Sequence, residues 1–227
     1  MREKGWLYGY LLTAILHGLS LLASWDLVRF VTKPLLMLLL LVWFLTGTIN
    51  TAGFRHWISA ALFFSWLGDI FLMNEGELYF IAGLAAFLFA HLCYIFFFAG
   101  IRRKQATALP WNSGILVVLV LYVALFYFFL APHLTPTLKL PVFVYALVIA
   151  AMFAMAFHAF TDKRTMDAIW CIAGATLFIA SDSMLAVNSF VTPFPGANLA
   201  IMATYILAQL AIVTGAAQVL NSKYKTV

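Results

Sequence analysis

The sequence predicts an all-α, polytopic membrane protein: a bundle of eight transmembrane helices with both termini in the cytoplasm. Of the 227 residues, 65% are hydrophobic and only 9% are charged, whereas about 25% of the residues in soluble domains are charged. The apolar residues form continuous runs, without the alternation of a membrane β-barrel strand, so we expect each run to be a helix. At about 20 residues per span, we expect one membrane domain over residues 1–227.

The individual spans are delimited by charged residues, Pro, Gly and Asn. Taken in order, the breaks lie near 25–33, 50–56, 74–77, 101–112, 132–140, 161–167 and 188–196. The second run is short and is predicted to begin at Pro34, because proline suits the first turn of a helix. The eight predicted spans are 6–24, 34–49, 57–73, 78–100, 113–131, 141–160, 168–187 and 197–220.

Lysine and arginine are distributed unequally between the two sides of the predicted bundle. Eight spans place ten of the 13 basic residues on the side of the amino terminus. Because cytoplasmic loops are enriched in Lys and Arg, we interpret the net charge of +5 as a topology signal, which gives no reason to expect nucleic-acid binding. The ten are Arg2, Lys4, Arg55, Arg102, Arg103, Lys104, Lys163, Arg164, Lys223 and Lys225, and the others are Arg29, Lys33 and Lys139.

Two features of the first half recur in the second half. A proline after a lysine precedes the second and sixth runs, at Pro34 and Pro141, and an aspartate follows a small residue in the third and seventh runs, at Asp69 and Asp182. Both offsets are about 110 residues, which suggests a four-plus-four repeat in parallel orientation. Topology and helix-start preferences alone can also produce such pairs.

Asp69 and Asp182 are the candidate catalytic residues. A charged side chain in hydrocarbon costs at least ~2.5–3.5 kcal/mol, so a carboxylate in a span indicates a functional site. Counting along each helix places Asp69 about 18 Å and Asp182 about 21 Å from the cytoplasmic boundary, so the two should lie level. Ser181 precedes Asp182 and is a candidate supporting residue.

Other polar residues are expected at the depth of the two aspartates or nearer the cytoplasm. Tyr205 is expected at their depth, and Gln209 lies one turn deeper on the same face of the last helix. His91 and Tyr94 share a face of the fourth span and are expected nearer the cytoplasmic boundary. Tyr205 and Gln209 could each support the site or form an interhelical hydrogen bond. His91 could be a buried neutral histidine bonded to a neighbouring span.

The opposite end of the predicted site carries charged and polar residues. Asp26, Arg29, Lys33 and Asn188 are expected at a mouth that opens away from the cytoplasm. Since no cation is expected within the spans of Asp69 and Asp182, Lys33 and Arg29 are their nearest candidate partners. Cys93 and Cys171 stand alone in apolar runs, and no HExxH motif occurs, so we expect no metal and no cofactor.

The order and spacing of these motifs resemble the YhhN family of eight-span membrane proteins, whose animal members include the lysoplasmalogenases. The resemblance runs from about Lys33 to the end of the chain. It rests on Gly68–Leu72, Phe80–Gly83, His91 with Tyr94, Ser181-Asp182 with Ala186–Asn188, and Ala200–Gln209.

The resemblance implies hydrolysis of the vinyl-ether bond of lysoplasmalogens, with a lysophospholipid and water as reactants in a lipid bilayer. It also implies that Asp69 and Asp182 are catalytic. Protonation of the alkene needs one acid, and the resulting cation needs one anion, as paired carboxylates supply in glycosidases. Asp69 in its apolar setting is the slightly favoured acid, although the sequence leaves the assignment open.

Supporting roles follow from the same chemistry. Lys33 is expected to hold the lipid phosphate, while Tyr205 and Gln209 position water or the ether oxygen. A proton-coupled transporter of small molecules or lipids fits the same residues, although neither aspartate run contains the proline that commonly breaks such helices. A bacterial inner membrane is the favoured location, and the oligomeric state stays open.

Overall fold

The protein folds into a bundle of α-helices. A computed structural model describes residues 2–48, 53–104 and 110–222, and within these ranges it contains helices and no strand, which confirms the predicted all-α class. A 3₁₀-helix, Ala131–His133, follows α5, and a π-helix, Val187–Val191, extends α7. The eight α-helices of these ranges are α1 Arg2–Ala23, α2 Asp26–Gly47, α3 Arg55–Phe71, α4 Glu77–Arg103, α5 Ser113–Leu130, α6 Pro136–His158, α7 Met166–Ala186 and α8 Ala197–Ser222.

Among the described helices, seven are long and apolar enough to cross a membrane. The chain is therefore a multi-pass integral membrane protein. The exception, α3, has 17 residues, or about 26 Å at ~1.5 Å per residue, which is near the lower limit for a span. A full set of eight spans, the cytoplasmic termini and the internal repeat stay predictions, and Lys223 and Lys225 lie outside the described residues.

The start of α2 differs from the prediction. The helix begins at Asp26, two turns before Pro34, and the proline lies inside it. An aspartate in the first turn is favourable at the positive end of the helix dipole, and helices in membranes tolerate internal proline. The prediction that this helix begins at Pro34 is therefore wrong. As a consequence, Lys33 lies well inside α2, about 10 Å along the axis from Asp26.

The sixth helix shows the same difference on a smaller scale. It begins at Pro136, and Pro141, the predicted start, lies inside it. Pro136 occupies the first turn, where the missing N–H costs no hydrogen bond. The first of the two prolines therefore starts α6.

Helix α8 occupies the centre of the bundle, where it packs against α1, α2, α3 and α7. Its closest neighbour is α7, because glycines remove the side chain where the two backbones meet. A Cβ atom on Gly174 would lie 2.8 Å from both the carbonyl oxygen of Ala208 and the backbone nitrogen of Ile212. By contrast, α5 lies at the periphery and exposes large apolar side chains such as Leu125 and Phe128, as expected of a lipid-facing helix.

Replacing Gly174 with alanine should destabilise the α7–α8 contact. The new methyl group would press on backbone atoms that cannot rotate away, and overpacking of this kind costs about 1–3 kcal/mol. We expect a lower midpoint of thermal unfolding in detergent. Gly18→Ala in α1 is the matched control, because its Cβ would meet only Leu199 Cδ1, at 3.9 Å; equal midpoints for the two variants would contradict close packing at Gly174.

Candidate active site

A cavity of about 500 Å³ opens within the bundle, and all eight helices contribute to its wall. Much of the wall is apolar, with side chains such as Phe80, Leu84 and Phe126 from α4 and α5. Five of the predicted site residues line the cavity: Lys33, Asp69, Ser181, Asp182 and Tyr205. Three others, His91, Tyr94 and Gln209, are fully buried outside the cavity wall.

The first carboxylate is held by α2 and α8. Asp69 is 2% exposed. Its Oδ2 accepts a hydrogen bond from the hydroxyl group of Tyr205 at 2.8 Å, and its Oδ1 lies 3.8 Å from Nζ of Lys33. Tyr205 is itself held by the ring of Phe87, edge to face at 5.7 Å. The hydrogen bond between Tyr205 and Asp69 is consistent with the prediction that the two residues lie at the same depth.

Lys33 lies deeper than the sequence predicts. Its side chain is only 16% exposed and forms an ion pair with Asp69, so its expected place among the exposed residues of the mouth is wrong. The error comes from the predicted helix start at Pro34, which put the lysine in a loop. At the mouth itself, Arg29 and Asp26 pair at 3.0 Å with side chains 47% and 79% exposed, and both line the cavity.

The second carboxylate is held by α4 and α6. Asp182 Oδ2 accepts a hydrogen bond from the hydroxyl group of Tyr145 at 2.5 Å. His91 Nε2 lies 2.9 Å from the oxygen of Tyr145 and 3.5 Å from Asp182 Oδ2. Because the tyrosine gives its proton to the carboxylate, Nε2 of His91 is the donor to the tyrosine oxygen. His91 Nδ1 has no hydrogen-bond partner among the described residues.

His91 lies against Asp182, with Nε2 at 3.5 Å from Asp182 Oδ2. Its place nearer the cytoplasmic boundary stays a prediction. The helix that carries it, α4, has 27 residues, or about 40 Å, which exceeds the ~30 Å hydrocarbon core, so counting from its first residue does not fix the depth of the histidine.

A buried chain of hydrogen bonds joins the helix of the first carboxylate to two neighbouring helices. Tyr94 donates its hydroxyl proton to Gln209 Oε1 at 2.5 Å, and Gln209 Nε2 donates to Ser65 Oγ at 2.9 Å. The chain joins α4, α8 and α3, the helix of Asp69. Gln209 therefore acts here as an interhelical tie, one of the two roles that its position predicted, and Tyr94 is one of its partners. Ser65 was given no role by sequence reasoning.

The remaining predicted residues lie near the second carboxylate. Ser181 Oγ donates to the carbonyl oxygen of Ile201 at 3.0 Å and ties α7 to α8. Asn188 lies in the π-helix, where its Oδ1 accepts a hydrogen bond from the backbone nitrogen of Phe194 at 3.4 Å. It thus holds the connection to α8 and is not part of the cavity wall.

Sequence reasoning gave no site role to several polar residues of the cavity wall, among them His17, Tyr122 and Tyr145. Tyr145 contacts Asp182 directly, and Tyr122 hydrogen-bonds Ser183 Oγ at 2.7 Å. Tyr122 carried a signal, because tyrosines concentrate at membrane interfaces and it lies in the middle of a predicted span, whereas Tyr145 lies only four residues from the predicted start of its span. Without the pairing of α5 and α6 with α7, that signal does not identify a partner.

The two carboxylates can divide the work of acid–base chemistry. Asp69 has the ammonium group of Lys33 beside it, whereas the described contacts of Asp182 are with a tyrosine hydroxyl group and a histidine ring. The apolar wall provides space for a hydrocarbon chain, and the ion pair at the mouth provides polar contacts. The site therefore suits an amphiphilic substrate that is protonated inside the membrane.

Comparison with known proteins identifies the family of this chain. The sequence profile of the YhhN family matches residues 28–216. A human protein named lysoplasmalogenase TMEM86B is 32% identical over 193 residues, which are 85% of this chain and 76% of the human protein. The mouse protein of the same name is 30% identical over 222 residues, or 94% of this chain and 87% of the mouse protein.

The similarity extends to bacteria. A Mycobacterium bovis protein named lysoplasmalogenase is 32% identical over 163 residues, which are 71% of this chain and 60% of that protein. No solved structure matches the chain. Both cavity aspartates, Asp69 and Asp182, lie within the part that the family profile covers. The chain belongs to the YhhN family, as its motifs predict.

Proposed function

We propose that this protein hydrolyses the vinyl-ether bond of lysoplasmalogens and releases a fatty aldehyde and a glycerophospho-ethanolamine or -choline. The observation that carries the proposal is that Asp69 and Asp182 line one largely apolar cavity of about 500 Å³. The names of the human, mouse and mycobacterial relatives support the same reaction class. An apolar wall with a few polar groups is what a single-chain lipid requires.

Asp182 is the proposed general acid. It transfers a proton from the oxygen not bound by Tyr145 to the alkene carbon farther from the ether oxygen, which produces an oxocarbenium ion. Asp69, kept ionised by Lys33 at 3.8 Å, stabilises this cation and removes a proton from the attacking water. The hemiacetal then collapses as its bond to the glycerol oxygen breaks: Asp69 returns the proton taken from water to that oxygen, and the hemiacetal hydroxyl group gives its proton to Asp182, which restores the acid and releases aldehyde and alcohol. The sequence favoured the opposite assignment because Asp69 lies in the more apolar run of residues.

The polar end of the lipid is proposed to lie at the mouth. Since Lys33 is buried beside Asp69, we assign the phosphate to Arg29, whose half-exposed side chain pairs with Asp26 and lines the cavity. Tyr205 holds Asp69 in place through its hydrogen bond, and Gln209 holds the helix of Asp69 through Ser65. We expect the mouth to face away from the cytoplasm, in keeping with the distribution of basic residues.

The test is a panel of lysolipids that differ only in the bond at the first glycerol carbon: vinyl ether, alkyl ether and ester. Purified protein should release aldehyde from the vinyl ether alone, because only that bond yields a stabilised cation on protonation. In deuterated water the aldehyde should carry a deuterium atom on its second carbon. In water labelled with heavy oxygen, the glycerol product should contain no label.

Two outcomes would redirect the proposal. Cleavage of the ester lipid would indicate nucleophilic attack at a carbonyl carbon instead of alkene protonation. If no lipid is turned over, and protein in liposomes instead moves protons with a solute, the transporter alternative is favoured.

A further inference from the structure

His17 is a buried polar side chain of the cavity wall that the proposed mechanism does not use. It lies on α1, is 1% exposed, and lines the cavity together with Lys33 and Asp69. Its Nε2 has no hydrogen-bond partner among the described residues. Since buried polar atoms are nearly always hydrogen-bonded, an unpaired atom in a cavity wall needs an explanation.

A neighbouring threonine fixes the state of the ring. Thr32 donates its hydroxyl proton to the carbonyl oxygen of Val28 at 2.7 Å. Its oxygen therefore accepts the hydrogen bond that joins it to His17 Nδ1 at 2.8 Å. With the proton on Nδ1, Nε2 of the neutral ring carries a lone pair. The unpaired atom is thus an acceptor and calls for a ligand that donates.

A lysoplasmalogen has few groups that can donate a hydrogen bond. The hydrocarbon chain, the vinyl ether and the ionised phosphate have none, and a choline head group has no N–H. An ethanolamine ammonium group lies beyond the phosphate and is matched by Asp26 at the mouth. The remaining donor is the free hydroxyl group on the second glycerol carbon, close to the scissile ether.

The position of His17 agrees with that hydroxyl group. Thr32, which binds the histidine, precedes Lys33, which binds Asp69. His17, Lys33 and Asp69 also line the same cavity, so one substrate can meet both the unpaired acceptor and the carboxylate proposed to act on the cleaved bond. In the substrate, the hydroxyl oxygen and the ether oxygen are separated by only two carbons.

We propose that His17 Nε2 accepts a hydrogen bond from the free hydroxyl group on the second glycerol carbon, and that this contact selects lysolipids over lipids acylated there. The inference rests on the proposed function. Acylation removes the donor and leaves Nε2 unpaired beside an added chain. His17 lies outside residues 28–216, which the family profile matches, so α1 contributes this contact from outside the matched part of the chain.

The experiment compares a vinyl-ether lysolipid with its analogue that lacks the hydroxyl group. We expect wild-type protein to prefer the hydroxyl form by about tenfold or more in kcat/KM, since an unpaired buried acceptor costs that much. His17→Phe should bring the ratio close to one. A structural role would lower both rates equally and leave the ratio unchanged, and that result would overturn the inference.

Further variants distinguish loss of the His17 contact from misfolding or a general loss of activity. Thr32→Val removes the hydroxyl that holds the proton on Nδ1 and should also reduce the ratio, while leaving the imidazole in place. His133→Phe, an exposed histidine outside the cavity, should keep the wild-type ratio. An undiminished ratio in both His17→Phe and Thr32→Val would contradict the proposal.

A binding measurement separates this inference from the proposed function. The uncleavable alkyl-ether lysolipid and its form without the hydroxyl group are titrated into wild-type and His17→Phe protein. Wild type should bind the hydroxyl form about tenfold more tightly, and the variant should bind both equally. This preference with no hydrolysis of vinyl ethers would refute the reaction and keep the contact, whereas hydrolysis with no preference would refute the contact alone.

Discussion

Asp182→Asn should reduce aldehyde release from a vinyl-ether lysolipid about a hundredfold or more. An amide cannot donate a proton to carbon, and loss of a general acid typically costs 10²–10⁴-fold. The amide can keep the hydrogen bond from Tyr145, so the protein should remain folded. Asp69→Asn should cause a comparable loss, because the amide neither balances the developing cation nor accepts a proton from water. Rates are measured by mass spectrometry of the trapped aldehyde.

The matched control is Asp167→Asn. Asp167 lies in the first turn of α7, on the same helix as Asp182, and does not line the cavity. Its variant should retain the wild-type rate. Thermal unfolding of all three proteins in detergent reports whether a loss of activity reflects misfolding. A folded Asp69→Asn/Asp182→Asn double variant that still releases aldehyde would refute the two-aspartate mechanism.

Composition and spacing predicted much of this fold and of its site. Continuous apolar runs fix the helical class, because an unpaired backbone is not tolerated in hydrocarbon. The cost of a buried charge singles out Asp69 and Asp182, and helical periodicity places Gln209 one turn from Tyr205. These inferences need only one helix at a time.

The errors concern relations between helices. A proline can start a helix or lie within one, and the choice at Pro34 decided whether Lys33 was placed in a loop at the mouth or inside α2. Likewise, the level of His91 depends on how far α4 extends beyond the membrane. Tilt and extension are set by packing against neighbouring helices, which a single run of residues does not reveal.

The partners of Asp182 show the same limit. Tyr145 and His91 lie on different helices, 37 and 91 residues away from that aspartate and from each other by 54. Each is polar in an apolar run, so each could be recognised as unusual. Both residues lie close to Oδ2 of Asp182 because α4, α6 and α7 pack together. The surroundings of this carboxylate therefore follow from the fold and not from any single run of residues.

Lys33→Met should be the most destabilising change at the site. It leaves the buried carboxylate of Asp69 without its cation, and breaking a buried ion pair costs about 3–5 kcal/mol. Arg29→Met is the matched control, because Arg29 pairs with Asp26 at the exposed mouth, where such pairs contribute about 0–1 kcal/mol. Thermal unfolding in detergent should therefore separate the two variants clearly.

Adding Asp69→Asn to Lys33→Met should restore much of the stability, because no uncompensated charge is then buried. Activity should stay absent in the double variant, since the anion is gone. This opposite response of stability and activity follows only if Lys33 acts through Asp69. If Lys33 instead binds the lipid phosphate, Lys33→Met should raise KM with little loss of stability, and Asp69→Asn should not rescue the fold.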